Sequence, residues 1–228
     1  MEPWRRTVAR GLLLILVTSI AAVIVANIAG FVAPIVAASN LTETSDIAAQ
    51  VRSAMSWVAL VSVVATAVLV VGTWWATSVA PDRDRRGPWR VATRILVILS
   101  LGLHVAHFAT GLLGDPASHQ TVGVALVLGN DLLILAGLMW LRELSVLLGS
   151  PGLARNAGWA VGAYLLVSCV SWVTRVAFDE SGLVALVLES GLAIVMGVWI
   201  WALIGLTRRA ALSAGIGEQR RLDGQRAQ

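Results

Sequence analysis

Six stretches of this chain are each long and apolar enough to cross a lipid bilayer, and nothing else in the sequence constrains the fold as much. A spanning helix needs about 20 mostly apolar residues, and the runs at 11–37, 54–80, 91–113, 121–148, 157–178 and 183–206 meet that need. Backbone in hydrocarbon must satisfy its own hydrogen bonds, so single spans of this kind are helices. The expected fold is therefore all-α, a polytopic membrane bundle of six transmembrane helices. Residues 1–10 form an N-terminal flank, 11–207 the membrane domain and 208–228 an Arg-rich tail. Composition agrees: 57% of residues are hydrophobic and only 13% charged, where a soluble domain carries roughly a quarter charged residues. The first run follows Arg5, Arg6 and Arg10 as a signal peptide would. It exceeds the ~7–15 apolar residues of such a leader, so it is expected to stay as a helix.

The basic residues set the expected orientation. All 17 are arginine. Arg5, Arg6 and Arg10, then Arg83, Arg85, Arg86, Arg90 and Arg94, then Arg142 and Arg155, and finally Arg208, Arg209, Arg220, Arg221 and Arg226 fall on one side of six alternating spans. The other side has Arg52 and Arg175, with Glu43, Asp46, Asp115, Asp179 and Glu180. Positive residues stay inside, which predicts both termini in the cytoplasm. The lysine-free, Ala-, Val- and Leu-rich composition points to a bacterial cytoplasmic membrane. Because topology already accounts for the arginines, the net charge of +4 indicates a lipid partner and no nucleic acid. The segment from Glu143 to Arg155 is read either as an extension of the fourth helix or as an interfacial helix, with Pro151-Gly152 as a turn signal.

The even-numbered helices resemble one another. Val124–Leu128 (VALVL) recurs at Val184–Leu188, and at the same offset of 60 Leu132, Ile134 and Gly137 match Leu192, Ile194 and Gly197. Gly137 precedes Trp140, Gly197 precedes Trp199 and Trp201, and Gly72 precedes Trp74 and Trp75. This suggests three tandem helical hairpins, with the tryptophans in an interfacial belt and Gly72, Gly137 and Gly197 at close helix crossings. Three-hairpin mitochondrial carriers have a Pro-x-[Asp/Glu]-x-x-[Lys/Arg] signature that is absent here. Ala29, Ala33 and Ala37 form a small-residue stripe that would dock a membrane partner or a second copy. Solute-binding subunits of some vitamin importers also have six helices and dock a partner through such a stripe, a resemblance confined to helix count, size and the stripe.

Ionisable groups at membrane depth are expensive and point to function. His104 and His107 share a face of the third helix, at about 14 and 9 Å below its outer end. Asn130 and Asp131 lie on the fourth helix, with Asp131 about 15 Å deep, and Glu189 lies about 9–12 Å down the sixth. His104, His107, Asp131, Glu189 and Asn130 are the candidate ion- or solute-binding residues. They admit three readings: a proton or cation pathway, a divalent transition-metal site such as zinc held by His104, His107 and Asp131, or hydrogen bonds that only fix the bundle. His119 falls in a short outer loop and reads as exposed, and Cys169 as a small core residue. No phosphate-binding glycine loop or nucleophile elbow is present, and no catalytic residue is assigned. The leading expectation is a transporter or channel-like protein. The alternatives are a structural or assembly subunit and an intramembrane metal-dependent enzyme.

Overall fold

The computed structural model describes the backbone of residues 3–40, 44–78, 87–114, 116–177 and 183–226, and the side chains of 3–25, 56–78, 87–114, 116–173 and 191–213. It is all-helical: α1 (Pro3–Asn40), α2 (Thr44–Ala76), α3 (Pro88–Leu113), α4 (Pro116–Leu147), α5 (Pro151–Ala177) and α6 (Leu183–Arg226). Each is long and apolar enough to span a membrane. Four of the six prolines open α1, α3, α4 and α5. Proline is at home in a first helical turn because its missing N–H has no intrahelical partner there.

The segment after Glu143 resolves in favour of a longer α4. That helix runs to Leu147 and ends at Gly149, whose φ of 72° is left-handed. The Gly149 N–H donates to Val146 O at 3.0 Å and the Ser150 N–H to Ser145 O at 2.9 Å, the paired bonds of a Schellman stop. Pro151 and Gly152 are then the first turn of α5. The helices also run through both flanks: α1 already covers residues 3–10, with Val8 and Ala9 buried, and α6 continues through the tail to Arg226.

Each helix packs on its neighbours in chain order, α6 closes back on α1, and α4 also reaches α6. Among the described residues the core lies toward the end where α1 begins and α6 leaves, here termed the terminal face. Val8 and Leu12 of α1, Ala76 of α2, Leu138, Leu141 and Leu144 of α4, Ala160 of α5, and Leu203 and Ala211 of α6 fill it. The outward surface is apolar as well: Leu99, Leu132, Trp159, Leu166 and Val195 are all exposed. This is the expected surface of a bundle dissolved in lipid. Buried hydroxyls of Thr77, Thr93, Ser145 and Thr207 donate to the carbonyl four residues back, so they need no partner across helices.

Several expected packing roles change. Gly72 does sit at a tight crossing, where a Cβ would meet Ile15 Cγ1 at 3.0 Å and Gly11 O at 3.3 Å. The more demanding glycine is Gly11, whose added Cβ would run into Ala76 N and lie 2.6 Å from Gly72 O. At Gly137 and Gly197 nothing among the described residues lies within 4 Å of such a Cβ, so neither marks a close approach there. Trp140 is not interfacial but buried in the core, and the Trp201 Nε1–H donates to Ser19 Oγ on α1 at 3.0 Å. Trp74 and Trp75 are exposed, as an interfacial belt requires. The hairpins exist as neighbouring pairs, but α4 touches α6 whereas α2 touches neither α4 nor α6 among the described residues. The three even helices are thus not packed alike. Cys169 is exposed rather than in the core. The Ala29, Ala33 and Ala37 side chains lie outside the described residues.

Arg94, read from sequence as an orientation charge, also closes α2. Its Nε donates to Thr77 Oγ1 at 2.7 Å and its Nη2 to Thr77 O at 3.1 Å, and its guanidinium lies 4.2 Å from the Trp74 ring centroid. The last carbonyls of a helix have no partners of their own, and a cation there also complements the helix dipole.

Candidate functional site

The α3–α4 hairpin holds the polar residues in one antiparallel seam. On α3 the facing positions are Ser100, His104, His107 and Gly111, spaced four, three and four apart, which keeps them on one helix face. On α4 the facing positions are His119, Gly123, Leu126 and Asn130, with the same spacing. Ser100 Oγ donates to Asn130 Oδ1 at 2.8 Å. His107 lies over Gly123, where its Cε1 would be 3.6 Å from an added Cβ, and His119 lies over Gly111, with its Cε1 at 3.3 Å from one. Each of these two imidazoles is therefore seated on a glycine of the opposite helix. Further along, Glu143 presses on Gly87 at the start of α3, with Oε2 2.5 Å from where a Cβ would stand.

His119 is the residue the sequence reading placed wrongly. It belongs to the first turns of α4 and is half-buried. Its ring stacks on His107 with centroids 4.0 Å apart and 21° between planes. The helix starts at Pro116, just beyond the left-handed cap of α3 at Gly114, so the outer connection is too short to leave His119 in a loop. The reciprocal pattern of a histidine opposite each glycine was present in the sequence, but it becomes visible only once the two helices are set antiparallel in this register.

Hydrogen bonds fix the tautomers. His104 Nδ1 lies 2.8 Å from Ser100 O. A carbonyl only accepts, so Nδ1 carries a proton. Thr110 Oγ1 donates its one proton to His107 O at 3.1 Å, so at its 3.3 Å contact with His119 Nδ1 the histidine is the donor. His107 Nδ1 is buried without a hydrogen-bond partner.

These side chains line a cleft of about 670 Å³ between α2, α3 and α4, at the end of the bundle away from the terminal face. Ser56, Ala59 and Ser62 of α2 form one wall, and His104, His107 and Thr110 of α3 with His119 and Leu126 of α4 form the other. The cleft could take a small polar solute, a chain of waters or a hydrated cation.

Not all the expected residues converge here. Asn130 joins the histidine seam through Ser100, but Asp131 accepts from the Tyr164 hydroxyl of α5 at 2.6 Å. Successive helical residues point about 100° apart, since 3.6 residues make a turn, so Asn130 can face α3 only if Asp131 faces elsewhere. The Glu189 side chain lies outside the described residues. Among the described residues no three His, Cys, Asp or Glu side chains come together as a metal site would, so His104, His107 and Asp131 do not form the expected zinc centre. The stacked pair does not make one either. A zinc ion binds in the plane of each imidazole at about 2.0–2.1 Å, and two ring planes 21° apart and stacked at 4.0 Å meet far beyond that reach.

No protein-family model matches the chain, and neither curated proteins nor solved structures give a significant match.

Proposed function

We propose that this multi-pass membrane protein admits a small polar solute, a cation or protons into the histidine-lined cleft, and so acts as a transporter or channel-like protein. The observation that carries the reading is the cleft itself: an open space of about 670 Å³ bordered by His104, His107 and His119. Imidazoles change charge near neutral pH, and they are kept at membrane depth at a cost that demands a return. A purely structural polar cluster would be closed on itself, whereas His107 Nδ1 has no partner. The arginine-rich terminal face is assigned to the cytoplasm of a bacterial cell, by the positive-inside rule, so the cleft opens outward.

The test is flux in liposomes containing the purified protein. Proton entry is followed with an internal pH dye, and cation entry with rubidium. Wild type should conduct one of them. The His104→Ala/His107→Ala/His119→Ala variant should lose that flux while eluting as the same monodisperse species. Absence of both fluxes in correctly inserted wild type would sink the reading.

A structural or assembly role is the second reading. It is favoured by the Tyr164–Asp131 and Ser100–Asn130 bonds, which are complete between helices without any ligand. It predicts that the triple histidine variant still assembles and that neither sample conducts.

A further inference from the structure

At the terminal face, α1 and α6 border a second, open hollow of about 290 Å³, lined by Arg6, Ala9, Arg10 and Leu13 of α1 and by Arg208 and Leu212 of α6. Arg6 and Arg10 are four apart on α1, so they extend from one helix face, and Arg208 meets them from the neighbouring helix. No acidic residue is among the described residues that line it. Three arginines lining one hollow, with no acidic side chain beside them among the described residues, repel one another. The Arg208 Nε is also buried with no hydrogen-bond partner, an arrangement that is costly unless something accepts from it.

We infer that this hollow binds a phosphate group, and that the phosphate is the headgroup of an anionic phospholipid. Guanidinium is planar and presents paired donors that match two phosphate oxygens at once. Ala9, Leu13 and Leu212 supply apolar wall beside the charges, as a headgroup with its glycerol and the start of an acyl chain requires. Basic hollows between membrane helices are the usual seat of such headgroups. The site is independent of the histidine cleft and of which way the protein faces.

The experiment is native mass spectrometry of the full chain in detergent, titrated with phosphatidylglycerol and, separately, with phosphatidylcholine. Wild type should prefer phosphatidylglycerol. The Arg6→Gln/Arg208→Gln variant should weaken that lipid by about thirtyfold, at roughly 1 kcal/mol for each of the two lost charges. Arg155→Gln, which removes an exposed arginine from α5, should leave the preference intact. Arg208→Lys keeps the charge but not the paired donors, and should fall between wild type and the double variant. Inorganic phosphate at millimolar concentration should fail to displace the lipid. Displacement by it would move the assignment from a lipid headgroup to a free phosphate and overturn the lipid source. Equal binding of the two lipids to wild type, or an equal loss in Arg155→Gln, would overturn the site. A monodisperse elution profile for each variant excludes misfolding as the cause.

Discussion

Among the described residues, the two ends of the α3–α4 hairpin are built on opposite principles. Toward the terminal face, Leu138, Leu144, Leu12, Leu203 and Ala211 interlock until almost nothing remains exposed. Toward the other end, the same α3 and α4 carry glycines and histidines where leucines would have closed the gap, and a cleft remains. Lipid tails are as apolar as leucine, so membrane helices gain from packing rather than from leaving water. An end that gives up packing keeps its shape only if another end holds the bundle. Along α3 and α4 the filled stretch therefore carries the described packing, and the stretch beyond it borders the cleft.

The sharpest way to break this comparison is Gly11→Leu. Its side chain would have to displace the backbone of Ala76 and Gly72, which cannot rotate away. Overpacking usually costs about 1–3 kcal/mol and more against backbone, so loss of the monodisperse species on size exclusion is expected. Gly137→Leu, with open space around it, should elute like wild type. A smaller effect separates Leu144→Ala from His107→Ala. The first leaves a cavity in the filled half and should cost about 2–5 kcal/mol. The second removes a ring whose Nδ1 has no partner and should cost less than about 1 kcal/mol. Thermal unfolding in detergent reads both, and similar losses would abolish the contrast. The most local effect is Arg94→Gln. It should loosen Thr77 and Ser78 by about 1 kcal/mol, the size of a partly solvated charged hydrogen bond, seen as faster amide exchange at the end of α2 with the remaining helices unchanged.

The six spans were legible because a run of about 20 apolar residues has few alternatives. Helix ends were less so: α1 already begins at Pro3 and α6 runs on to Arg226, well beyond their apolar runs, because polar residues outside the lipid can continue a helix. His104, His107 and Asn130 were recognisable as polar residues at depth, and they do lie along one seam. Asp131 was assigned to that seam on proximity alone, and helical phase turned it to Tyr164 instead. His119 was missed because its role depends on register between two helices, which hydropathy does not encode. Gly11 was passed over for the same reason, since its importance comes from the neighbour it touches and not from its own surroundings in sequence.

The described fastenings of α2 have a mechanical consequence. Both the backbone crossing with α1 at Gly72 and the guanidinium clamp at Thr77 sit near its C-terminal end, while its cleft-lining Ser56 lies sixteen residues from Gly72. That distance is about 24 Å along the helix, so a difference of about 5° in crossing angle corresponds to about 2 Å at Ser56. The angle at which α1 and α2 cross at Gly72 thus helps to set how far Ser56 stands from α3 and α4 across the cleft.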